Sequence, residues 1–460
     1  MSIETNTVTN IQTNAKNKFV KVFSVCLVKI IFAFFKQTCY YDLSKCDEFY
    51  SLALCCWDIN NLIGLDCMQL KYNLLNISQF KIHNLKYFHH LVISNESFRY
   101  ISMLKSVFTG LKKITFDREF NTKIPLNIFP NNLTSIKMGE KFNEILEKDT
   151  FPDNLLKLAF GYMYNHPITN ILPNKLTKLA FGTTFNQPIT SLPNTLLKLK
   201  FGYEFDQLLG PNVLPSSLIA LSFCGKFNQS INEILPPNLT NLSFTGSFNQ
   251  PIKPGSLPLF LKKLTFGFSF NQPLTHGVLP INLSTLILSS SYDQTLDNMV
   301  FPENLIQLVF NTKQIINRKI FPNNLTSLRF QTHFNKPWNP GVLPENLKEL
   351  YLGQIFNQKI CANMLPPNIT KLALSTYFNK PMYAYQLHKL TKITFNDAFN
   401  QVLNYDTLPK NLIELIFGRS FDQCINAPIF PSTLTKIKFG FCYNKPINKG
   451  ILHLWNITFM

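Results

Sequence analysis

Eight lysines carry the clearest chemical signal in this chain. Lys113, Lys157, Lys178, Lys198, Lys263, Lys371, Lys392 and Lys436 each stand directly before a leucine or isoleucine, at whole multiples of a 20- to 22-residue interval. Like charges set in register repel one another and no structural role demands them, whereas an acidic partner would relieve the repulsion. The chemistry they offer is anion recognition. Catalysis has no comparable signal: there is no Gly-rich phosphate loop, no His-Glu-x-x-His, no nucleophile elbow and no carboxylate pair in a fixed relation. The ten cysteines form neither a Cys-x-x-Cys pair nor a ligand-like set with histidine, so no metal and no other cofactor is expected. Among the eight histidines, His89, His90 and His166 read as surface-turn residues. The chain reads as non-enzymatic.

The formal net charge is +18, unevenly spread. Residues 1–110 hold 11 basic against 7 acidic side chains, which leaves +14 for the remainder. Such a surplus would suit phosphates. Nucleic acid is nonetheless the weaker expectation, because only five arginines are present and outward aromatics do not alternate with the lysines as stacking on bases would require. A protein partner with an acidic surface fits better. A plainer reading stands beside it, in which lysine is the soluble residue that a composition rich in Lys, Asn, Ile and Phe supplies to an outward face.

A repeat sets these lysines in register. Aligned on the proline of a Leu-Pro or Phe-Pro pair, the chain from about residue 106 advances in steps of 20 to 22 residues, of which Leu172 to Ile189 (LPNKLTKLAFGTTFNQPI) is representative. In Leu176-x-x-Leu179-x-Phe181 the last two apolar residues are two apart, so they share one face of an extended segment. Lys178, Ala180 and Gly182 then point the other way. Phe185 and its counterparts turn inward again after a bend ascribed to the glycine. A coil buries four to six large apolar side chains, each contributing about 1.5–3 kcal/mol, against a backbone ordering cost of about 1–2 kcal/mol per residue. One coil cannot stand alone, but a stack can.

An asparagine follows that second aromatic in twelve coils, with Asp206, Asp293 and Asp422 in three more. Aspartate keeps the acceptor and loses the amide donor, so the expected bond runs from backbone N–H to the side-chain oxygen and closes the turn. The next position is glutamine in nine coils and Lys336, Lys380 or Lys445 in three, which places it near solvent. The pattern Leu-Pro-x-x-Leu-x-x-Leu-x-Phe-Gly-x-x-Phe-Asn-Gln-Pro-Ile resembles the FNIP repeat, a relative of the leucine-rich repeat found in large sets in amoebae and in giant viruses that infect them. The resemblance covers about residues 111–460. It implies a mainly β, leucine-rich-repeat-like solenoid of about fifteen coils that binds protein and performs no catalysis; the strand face is the expected binding surface. Phe310 to Ile320 departs from the pattern by lacking the second aromatic.

Residues 1–105 are a different object, since Pro125 is the first of 28 prolines and six of the ten cysteines precede residue 68. Residues 1–17 read as a disordered polar tail, 18–105 as a small α-helical unit and 106–460 as the solenoid, with irregular first coils expected within Asn73 to Phe108. Phe19 to Phe35 is the most apolar run, but Lys21 and Lys29 divide it. It falls short of the ~20 apolar residues of a spanning helix and of the unbroken core of a signal peptide. A buried amphipathic helix is expected, without a membrane span, in an intracellular and most simply cytoplasmic setting that keeps the cysteines reduced. Leu27, Ile30 and Ile31, followed by Leu52, Leu54 and Trp57, resemble an F-box, although Cys26-Leu27 replaces its usual opening Leu-Pro. That resemblance implies docking onto the linker subunit of a cullin ubiquitin ligase. The same helices read also as a cap over the apolar edge of the first coil.

Overall fold

The computed structural model describes residues 72–73, 89–98, 110–296, 300–384, 387–404, 407–425, 429–446 and 456–459. Among them nineteen short strands form one sheet, each strand pairing in parallel with the next in sequence, from Tyr72–Asn73 and His90–Ile93 to Lys436–Phe439 and Asn456–Phe459. One strand per coil makes a parallel β-solenoid. Helical structure among the described residues is confined to short 3-10 turns such as Ala362–Met364. The sheet takes in Tyr72–Asn73 and His90–Ile93 ahead of residue 106. The N-terminal tail and Leu27, Ile30, Ile31, Leu52, Leu54 and Trp57 lie outside the described residues.

The strands alternate as their sequence dictates. Lys178 is exposed, Leu179 is buried, Ala180 is half-buried and Phe181 is buried. Phe181 stacks on Phe185 of its own coil at 3.9 Å; Phe201 lies 5.6 Å from Phe181 in the next coil, and Phe205 lies 6.1 Å from Phe185. Pairs of this kind add about 0.5–1.5 kcal/mol each beyond their burial. Two aromatic ladders therefore run side by side through the core, with Met138, Leu288, Leu352 and Leu374 standing in for rings in the first. The second lacks a ring between Tyr292 and Phe334, where Asn311 and Thr312 are buried instead. Asn311 Nδ2 donates to the Ser290 carbonyl at 2.5 Å, and Gln331 Nε2 donates to the Leu288 carbonyl at 2.9 Å, two coils away.

Three local expectations need correction. Gly182 has no left-handed backbone; what requires glycine is room, because a Cβ there would overlap the carbonyl oxygen of Gly161, as one at Gly202 would that of Gly182. The asparagine oxygen does accept backbone N–H, but from the following coil: Asp206 N–H donates to Asn186 Oδ1 at 3.0 Å, and Asn228 N–H to Asp206 Oδ1 at 2.8 Å. Gln207 Nε2 donates to the same Asn186 oxygen at 3.0 Å. These bonds close no turn; they tie coil to coil, and aspartate serves because only the acceptor is used. His90 is no surface-turn residue either, since it opens a strand, is 4% exposed and places Nε2 2.9 Å from Thr115 Oγ1.

Candidate protein-binding face

Pairing in register turns the outward side of the sheet into columns. Lys113, Ser135, Lys157, Lys178, Lys198 and Ala220 align Cα to Cα on successive strands. With strands about 4.8 Å apart, Lys157, Lys178 and Lys198 present three ammonium groups in an unbroken row. A second outward column, two residues further along each strand, adds Lys137 and Lys200. No run of lysine marks this second column, since its other members here are Ala159, Ala180, Ser222 and Ser243. Strand alternation was the signal that could have found them.

The face is concave in this region, as side chains of nine successive strands, from Lys113–Phe116 to Thr285–Ile287, border one trough of about 800 Å³. Its lining holds seven lysines and no acidic side chain. Five of the seven belong to the expected set: Lys113, Lys157, Lys178, Lys198 and Lys263. Between them the floor is made of small residues, alanine and serine above all, which leaves the ammonium groups as the tallest features.

The other three expected lysines stand elsewhere and behave differently. The same column continues through Ser327, Glu349, Lys371, Lys392, Glu414 and Lys436. Lys371 Nζ lies 2.6 Å from Glu349 Oε1, while Lys392 and Lys436 grip opposite oxygens of Glu414 at 2.8 and 2.9 Å. The hydrogen bond to Glu349, helped by its charge, raises the Lys371 ammonium above its ordinary range. The hydrogen bond from Lys392 is the largest influence on Glu414; with Lys436 it outweighs burial and holds that carboxyl below its ordinary range. The eight lysines are thus not one site. Between the two groups, Ile287, Val309, Arg329 and Tyr351 follow one another in the second column, and the Arg329 guanidinium sits 4.0 Å from the centre of the Tyr351 ring.

Among the described residues no group of three or more His, Cys, Asp or Glu could hold a metal ion, and no helix is long and apolar enough to cross a membrane. Tyr162, Tyr203 and Phe268 stand exposed just beyond the strands, two and three coils apart. Two coils span about 9.6 Å, too wide for the rings to take successive bases of a nucleic acid strand.

The FNIP Repeat model matches residues 142–184, 185–226, 227–269, 270–313, 310–354, 356–398, 388–418 and 399–442. No curated protein matches the sequence. Among solved structures, the chain is similar to CroV588, a circular leucine-rich-repeat protein, with 32% identity and a TM-score of 0.59 over 81% of this chain and 69% of that one. The Toll–Spätzle complex from Drosophila shares the fold alone, with 13% identity and a TM-score of 0.51 over 75% of this chain and 48% of that one. Repeat matches running from residue 142 to residue 442, together with that 32% identical relative, show that the chain belongs to the FNIP repeat family, whose leucine-rich-repeat-like scaffold is typical of protein-interaction proteins.

Proposed function

We propose that the chain is a non-enzymatic interaction scaffold that holds an acidic protein surface in the trough of its strand face. The observation that carries this reading is an asymmetry within one column. Lys371, Lys392 and Lys436 have Glu349 and Glu414 beside them in the column, whereas Lys113, Lys157, Lys178 and Lys198 are interrupted and flanked by His90, Ser135 and Ala220, none of them acidic. A composition that only supplied soluble lysine would treat both halves alike. Carboxylates from outside would relieve the unmatched half and steer the encounter. Binding of a labelled poly-glutamate peptide to the full chain tests this: Lys157→Glu, Lys178→Glu and Lys198→Glu together abolish it on this reading. Unchanged binding by that triple variant would sink it.

The F-box resemblance at Leu27, Ile30, Ile31, Leu52, Leu54 and Trp57 adds a finer reading, in which the solenoid selects a substrate for a cullin ubiquitin ligase. Stoichiometric capture of the ligase's linker subunit by the full chain supports it, and absence of capture leaves the scaffold alone. An intracellular, reducing setting is part of the proposal, in keeping with the unbonded Cys224, Cys361, Cys424 and Cys442.

A further inference from the structure

Resting on the acidic-partner reading, we infer that the occupant of the strand face is one segment of two-part chemistry, acidic over the lysines and apolar or aromatic over the strands that follow. The second outward column, which carries Val92 and Thr115 ahead of Lys137, changes character between Lys137 and Tyr351. Lys137 and Lys200 stand around two alanines, Ser222, Ser243 and Thr265 follow, and then come Ile287, Val309, Arg329 and Tyr351, before small residues return at Ala373 and Thr394. Ile287 and Val309 are half-buried on the outward side of strands whose inward side is already filled by Leu286 and Leu308. The core does not require them there. Arg329 laid on Tyr351 is the composition found at the centre of protein interfaces, where desolvated aromatic and guanidinium groups contribute most.

The two parts are one surface, because Ile287 borders the same trough as the lysines. Strands Lys157–Ala159 and Glu349–Leu352 are nine strand steps apart. At about 4.8 Å per step and about 3.3 Å per residue of extended chain, a segment of about 13 residues covers that span. A uniformly acidic segment would set carboxylates against the aliphatic Ile287 and Val309, which offer them no hydrogen bond. A nucleic acid strand would gain nothing from two aliphatic side chains. The order of chemistry along the solenoid therefore selects a segment whose charge and apolar residues are in separate blocks.

Fluorescence anisotropy with the full chain tests this, using labelled peptides of about 14 residues, long enough for the span. The probes are a glutamate block followed by a Leu/Phe block, the reverse order, an alternating peptide of the same composition, poly-glutamate of the same length, and an oligothymidine. One block-ordered peptide is expected to bind at least about tenfold tighter than the alternating peptide and poly-glutamate, a difference of about 1.4 kcal/mol. Ile287→Thr with Val309→Thr, which keeps strand-forming side chains, removes that margin and leaves poly-glutamate binding and its salt dependence intact. Equal binding of block-ordered and alternating peptides overturns this inference while poly-glutamate binding keeps the basic-trough reading alive. Binding by none of the peptides, or tighter binding by oligothymidine than by all of them, overturns both.

Discussion

The strands from Lys113–Phe116 to Lys198–Lys200 and those from Glu349–Leu352 to Lys436–Phe439 are built alike on their inner side and differently on their outer one. Inside, both regions bury a leucine or isoleucine from each strand and stack the two aromatic ladders. Outside, the first region leaves its lysines facing a trough without acids, and the second binds Lys371, Lys392 and Lys436 to Glu349 and Glu414. The corner after the strand is shared only in part. Gly139, Gly161, Gly182 and Gly202 in the first region and Gly353, Gly418 and Gly440 in the second leave no room for a Cβ against the neighbouring coil's backbone, while Ser375 and Asn396, in the two coils of the second region between them, hydrogen-bond the carbonyls of Phe356 and Leu374. What stacking dictates is held constant, and the variation sits on the side where a partner would be met.

The sharpest way to break this comparison is to reverse charge in each region. Lys157→Glu, Lys178→Glu and Lys198→Glu together should weaken poly-glutamate binding by at least about 100-fold at low salt, or about 2.7 kcal/mol. The matching reversals at Lys371, Lys392 and Lys436 should change it by less than about threefold, since their charges are already engaged. Equal losses in anisotropy titrations would erase the distinction between the regions.

The corner comes next in size. Gly182→Ala should destabilise the fold by about 2 kcal/mol, because backbone of the neighbouring coil must move, whereas Ser375→Gly should lose about 1–2 kcal/mol with its hydrogen bond. Urea midpoints decide the matter, and a tolerated Gly182→Ala would refute the steric account. Asn186→Ala should forfeit about 1–2 kcal/mol by stranding the donors of Asp206 and Gln207, while Asn186→Asp should stay within about 0.5 kcal/mol. A large cost for aspartate would show that the amide donor matters after all.

Glu414→Gln in the second region should have the smallest effect, about 0.5 kcal/mol, typical of exposed or partly exposed ion pairs. Its sign with pH follows from linkage. The Glu414 carboxyl is held below its ordinary range in the folded chain, so its contribution is present above the ordinary glutamate value and fades as the pH falls through the lowered one. The gap in urea midpoint between Glu414→Gln and the parent should therefore close in acid; a gap that stays constant from neutral to acidic pH would remove Glu414 from the account.

The fold was legible because each apolar column is written some fifteen times, so a single ambiguous coil cannot mislead. The lysine column was legible for the same reason. Its division was harder to see, because Glu349 and Glu414 occupy positions of that very column and so vanish from any inventory of its lysines. Bonds between coils were also hidden: the sequence of one coil shows Asn186 beside a turn, and only the stack reveals that the donor belongs to Asp206. Lys137 and Lys200 were readable in principle from alternation, but they recur too seldom to form a column.

The missing ring between Tyr292 and Phe334 has a consequence for how the molecule opens. Coils couple chiefly to their nearest neighbours, and here one ladder is interrupted, leaving strand pairing, the buried Leu308 and Leu328, the Phe310–Phe330 pair tilted by 45° at 5.1 Å and the polar bonds of Asn311 and Gln331. The seam divides the lysine-lined coils from the ion-paired ones. Amide protons on its two sides should exchange with solvent as two cooperative units rather than one. A partner segment lying from Lys157 to Tyr351 would cross that seam as a splint, so its binding would be felt as slowed exchange on both sides at once, including coils it never touches.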